Sequence, residues 1–178
     1  MTHVYDATGH VAAAAERATL EAFLDHQREE VAATVRDLSD DDARSRLVPS
    51  ATTLAGLLKH LTRVEASWFQ RRLDRVPADE LPPLRWLADG PDGDFVVDPD
   101  DSVASLIAAY EAQCADSRAT AARYHLDDVV PHPSLGEVSL RWIYVHMIEE
   151  TARHAGHADI LREQLDAAAS GTPDGPNG

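Results

Sequence analysis

The chain has 178 residues, 44% of them hydrophobic and 26% charged, with 31 acidic against 16 basic side chains and a net charge of −15. That length holds one domain with a proper core and is short for two. So acidic a balance argues against nucleic acid and against an anionic membrane surface as partners, since both call for a basic face.

One cysteine, Cys114, excludes an intramolecular disulfide and fits a reducing compartment. The N-terminus lacks a basic stretch followed by a long apolar run, and no segment approaches the ~18 apolar residues of a membrane span. A cytoplasmic location is expected.

Residues 1–12 have no clear periodicity and are expected to be loosely held. From Ala13 to Leu38 the pattern fits an amphipathic helix, with Leu20, Phe23, Leu24, Val31 and Val35 on one side and Asp25, Arg28, Glu29 and Glu30 on the other. Ser39 followed by three aspartates caps a short helix that Pro49 closes. Thr52 or Thr53 caps a second long helix carrying Leu54, Leu57, Leu61, Val64 and Trp68 on its apolar face, with His60 at the edge of that face. Residues 77–100 contain five prolines and two glycines and form a long connection, of the kind that serves as a lid or crossover. Asp100 or Ser102 opens a third helix, and His125 to Val138 is another proline-containing connection in which His125 and His132 are expected to be exposed. Ser139 caps the fourth long helix, and the residues after about 166 read as a disordered tail. The expectation is an all-α fold, a four-helix bundle with long crossover connections spanning residues 13–166, without convincing strands.

The chemistry concentrates on the fourth helix. At about 100° per residue, His146, Glu150, His154 and His157 share a sector of roughly 80°. The apolar residues Ile143, Met147, Ala158, Leu161 and Leu165 lie in or beside it. Ionisable groups along a packing stripe are costly unless they hold a partner or a metal. Glu150 and His154, four residues apart, lie one turn apart on the same face. His60 is the best third ligand by position, completing a His₂Glu set that leaves a coordination position open. Zinc suits that set, with nickel or iron as alternatives. Spacing alone favours a solvated E-x-x-x-H pair; the two apolar stripes bring the metal reading level with it. Cys114 reads as a small core residue, and Trp68, Trp86 and Trp142 as core residues or a pocket wall. The spacing of Asp98, Asp100 and Asp101 does not fit a calcium loop.

The segments TLAGLLKHLTRVEASWFQRRL and LRWIYVHMIEETARHAGHADILREQLD resemble the DinB-like superfamily, the likeness running from about Glu16 to Asp166. The superfamily includes the metal-binding domain of mycothiol-dependent maleylpyruvate isomerase and related thiol S-transferases. The resemblance implies a four-helix bundle, often dimeric, with a divalent metal on His60, Glu150 and His154. His157 stands where many relatives carry glutamine, and is a candidate for orienting a bound water or ligand. The implied activity is that of a thiol S-transferase, with mycothiol or bacillithiol attacking an electrophilic small molecule. A metal-dependent hydrolase and a non-catalytic, stress-related metal-binding or interaction bundle are the alternatives.

Overall fold

The computed structural model describes residues 7–82 and 93–170. Its helices are α1 (Glu16–Val35), the single turn α2 (Asp40–Ala43), α3 (Leu54–Glu65), α4 (Val103–Ala121) and α5 (Leu140–Ser170). The chain leaves α3 without a break into a π-helical stretch, Ala66–Leu73. α1 packs along α5, and α3 along α4, which makes a bundle of four long helices as expected. No helix among the described residues is long and apolar enough to cross a membrane.

The helix starts follow the sequence signals. Ser39 Oγ accepts from the Asp42 N–H, and Thr53 Oγ1 from the Gly56 N–H. Ser102 forms a capping box with Ser105. Ser139 Oγ accepts the Trp142 N–H at the start of α5. α5 itself runs to Ser170, past the Leu165 at which the sequence pattern fades. Ahead of α1 comes the turn Gly9–Val11, with Thr8 and Val11 buried; residues 1–6 of the stretch expected to be loosely held lie outside the described residues.

One element departs from the all-helical expectation. The connection before α5 holds an antiparallel hairpin, β1 (Val129–His132) with β2 (Gly136–Ser139), pairing Val130 with Val138. Gly136 turns the chain at φ +80, a left-handed conformation that costs glycine little. Two strands are marginal alone; here Val130 and Val138 are buried against Leu140, Ile143 and Phe69.

Two apolar clusters fill the bundle. One gathers Val31, Val35, Leu57, Leu58, Leu61, Cys114, Ala158 and Leu161; the other gathers Leu24, Phe69, Leu73, Ala121, Ile143 and Met147. Between them every long helix contributes a buried polar residue: Arg28, Glu65, Ser117 and Thr151. Arg28 therefore lies inside, not on the solvent side where the α1 pattern put it, because Glu65 of α3 meets it there with a bidentate ion pair. Phe23, assigned to the apolar face, is 36% exposed instead.

Gly56 marks a close approach. A Cβ there would come within 2.8 Å of the Phe95 carbonyl oxygen and 3.0 Å of Thr53 Oγ1, whereas one on Gly156 would meet nothing within 4 Å. The same substitution should therefore have opposite signs at the two sites. Gly156→Ala, on an open helical surface, is expected to stabilise by about 0.5–1 kcal/mol. Gly56→Ala is expected to destabilise by about 1–2 kcal/mol despite the better helix propensity, because backbone must move. Urea midpoints of the two variants against the parent chain decide this.

Candidate metal centre

α3 and α5 cross so that His60, one turn past Gly56, faces Glu150 and His154 on consecutive turns of α5. The Nε2 atoms of His60 and His154 lie 3.3 Å and 3.2 Å from the same oxygen, Glu150 Oε1. The two rings meet edge to face with centroids 4.7 Å apart. One ligand atom from each of the three residues fits within a 4.8 Å span. The three side chains are only 13–17% exposed.

The carboxylate is held from the other side as well. Arg153 donates to Glu150 Oε2 at 3.2 Å, leaving Oε1 to the imidazoles. The hydrogen bonds from His154 and His60 outweigh burial and hold the Glu150 carboxyl well below the usual carboxylate range. It is ionised at neutral pH, as a metal ligand has to be.

Two imidazole nitrogens and a carboxylate oxygen are the donor types that zinc takes. Their arrangement around one oxygen requires each ring to present an N–H to it, protons that a cation at the same place would replace. The buried Nδ1 of His154 has no hydrogen-bond partner among the described residues, which marks the site as polar beyond what its own contacts satisfy. The residues present fit a divalent cation.

The surroundings separate the remaining candidates. Phe95 stacks on the His60 ring at 4.8 Å and 11°, which places the end of the 77–100 connection over the trio. Lys59 anchors the same segment through Asp98 and Asp101, so these aspartates serve an ammonium clamp. Residues 83–92, Trp86 among them, lie outside the described residues. His157 is exposed, with its ring 5.5 Å from that of His154. It also lines a cavity of about 360 Å³ with Val48, Ser50, Thr52, Ile160 and Leu161.

His146 does not join the trio. It stacks on Trp142 at 5.0 Å and meets Trp68 edge to face at 4.6 Å, and burial holds it below the usual histidine range. His132 is half-buried against Trp68, not exposed as expected, because the hairpin folds it onto the bundle. His125 is exposed. No local pattern points to this ring cluster, since His132 comes from a four-residue strand too short to stand out in the sequence.

Cys114 is 3% exposed, and burial followed by the Glu65 charge pushes its thiol from an ordinary 9.0 up to about 12. A thiol with its folded pKa raised contributes stability fully below pH 9 and loses it as the pH climbs towards 12. The loss amounts to up to about 4 kcal/mol. The parent chain should therefore weaken steeply over that window, and Cys114→Ala, at a constant cavity cost, should weaken less. Denaturant titrations at pH 8 and pH 11 measure the difference. The folded protein should also react slowly with thiol reagents at pH 8.

The sequence model of one family, described as mycothiol-S-transferase, matches residues 19–167. The chain belongs to the mycothiol S-transferase family, within the DinB-like superfamily. That match takes in the whole of α3 and α4 and most of α1 and α5, with His60, Glu150 and His154 inside it. Among curated proteins, nothing matches the chain.

Proposed function

We propose that this mycothiol S-transferase family member is a metal-dependent enzyme that transfers a low-molecular-weight thiol, mycothiol or a close equivalent, to an electrophilic small molecule. The observation that carries the reading is the convergence of His60 and His154 on one oxygen of Glu150, within a chain whose family is named for thiol transfer.

His60, Glu150 and His154 would hold the metal, zinc first by donor type, with nickel or iron as alternatives. Bound there, a divalent cation lowers the pKa of a thiol brought to it, so that a nucleophile exists at neutral pH. The chain's own residues do the rest. Arg153 fixes the carboxylate, Phe95 covers one face of His60, and the packed helices keep the imidazoles from rotating away. The protein's one thiol, Cys114, is buried and held protonated, which supports a thiol that arrives as a cosubstrate. The cavity that His157 lines lies beside His154 and supplies apolar walls from Ile160 and Leu161 with hydroxyls from Ser50 and Thr52. We assign the electrophile to that cavity, with His157 as a positioning residue.

The test is thiol consumption by zinc-loaded protein with mycothiol and a chromogenic aryl halide, with and without a chelator. Turnover above the uncatalysed rate that disappears on metal removal is the expected result. A protein that retains metal yet accelerates no thiol over a panel of electrophiles would be a binding bundle instead.

A further inference from the structure

At the far end of the π-helical stretch three arginines, Arg71, Arg72 and Arg75, line a cavity of about 450 Å³ together with Pro131, His132 and Pro133 of the hairpin. The chain carries a net charge of −15, so three cations on one small surface stand out against their background. None of the three forms an ion pair among the described residues. The acid between them, Asp74, is engaged elsewhere, by Arg123 and by the Tyr124 hydroxyl at 2.9 Å.

The lining is made of donors. Guanidinium groups donate and do not accept. The prolines offer no side-chain polar atom. His132 Nδ1 already accepts from the Ser134 and Leu135 N–H groups at 3.3 Å and 3.2 Å, which fixes the ring proton on Nε2. Trp68 orders the site: His132 stacks on it at 5.6 Å, and the Arg72 guanidinium lies 5.5 Å from its centroid. Burial, with repulsion from Arg71, pulls the Arg72 guanidinium below its ordinary range.

A helix C-terminus attracts basic side chains through its dipole, and that accounts for Arg71 and Arg72. It does not account for Arg75. That residue occupies the left-handed region at φ 60, where a glycine would be the cheaper occupant. The π-helical phase and the hairpin then bring a fourth donor to the same place.

We propose that Arg71, Arg72, Arg75 and His132 form a binding site for the oxyanion of a small molecule, a phosphate or a carboxylate. Arg72 lies roughly 15–18 Å along the helix from His60, so this site is separate from the metal centre and does not depend on thiol chemistry. Bidentate guanidinium donors match both anions.

The experiment is calorimetric titration of the full chain with sodium phosphate and, separately, sodium succinate, at ionic strength balanced with sodium chloride. Saturable binding of at least one anion, with a Kd of about 1 mM or tighter, is expected, and the arm that binds identifies the oxyanion. The Arg71→Gln/Arg75→Asn variant, in which asparagine tolerates the left-handed backbone, should bind at least tenfold more weakly. Arg71→Gln alone, at an exposed position, should lose at least threefold and stands in if the double variant does not fold. Arg162→Gln, which removes one positive charge from the other end of α5, should bind like the parent chain. No saturable heat with either anion up to about 20 mM overturns the proposal, as does equal binding by the Arg71 variants.

Discussion

Alanine at His154 should leave a folded helical protein that loses its metal on dialysis and, with it, thiol transfer. Glu150 Oε1 gathers both imidazoles, so removing one leaves a two-ligand set on opposite helices, His60 and Glu150. Partners that merely orient a metal ligand are worth about 10–100-fold in affinity or activity, so loss of a ligand itself should cost at least about a hundredfold. His157→Ala provides the contrast. Its ring is exposed and touches the trio only through the edge of His154, so its metal content should stay near that of the parent while turnover falls less than about tenfold. Elemental analysis after incubation with zinc or nickel, followed by dialysis, reads the first effect. The rise in thermal midpoint on adding metal reads it independently, because only a folded-state ligand stabilises in this way. A parent chain that takes up neither metal would remove the catalytic reading along with the ligand assignment.

The trio was legible because its signal is local and periodic. Four residues separate Glu150 from His154, apolar positions flank both, and His60 rides the edge of a second apolar face; helical geometry does the rest. The helix starts were legible for the same reason, since Ser39, Thr53, Ser102 and Ser139 act on N–H groups within three residues of themselves. What escaped was everything decided by a partner distant in sequence. The hairpin has four-residue strands, one with Pro131 inside it, and gains its stability from a bundle surface that its own residues do not encode. Arg28 looks solvent-facing on a helical wheel because an arginine in a run of Asp, Glu and Gln usually is. Only Glu65, thirty-seven positions away, makes its burial tolerable. The aromatic contacts of Trp68, His132, Trp142 and His146 join α5, the π-helical stretch and β1. No single-segment pattern announces them.

Glu65→Ala should be among the most destabilising single substitutions in the chain, although it lies outside the metal centre. Glu65 is fully buried and Arg28 is 5% exposed, with contacts of 2.8 Å and 2.7 Å between them. Burial alone would pull the Arg28 guanidinium down; the Glu65 carboxylate, by charge and hydrogen bond, more than offsets this and holds it above its ordinary range. Truncating Glu65 leaves that cation in the waist between the two apolar clusters with Asp25, at 2.8 Å on its outer side, as its one remaining carboxylate partner among the described residues. Breaking a buried pair in this way costs about 3–5 kcal/mol. For a chain of this size that corresponds to a thermal midpoint lower by roughly 6–20 °C. The pair as a whole is another matter, since desolvating two charges consumes most of what their attraction returns. Arg28→Met combined with Glu65→Leu should therefore recover most of the loss, landing within about 1–2 kcal/mol of the parent chain. Urea unfolding of Arg28→Met, Glu65→Leu and the double variant closes the cycle, with Glu65→Ala measured beside them. A Glu65→Ala loss below about 1 kcal/mol would mean that water or Asp25 compensates Arg28. A double variant no better than Glu65→Ala would mean that the polar waist itself, and not the ion pair, sets how the four helices meet.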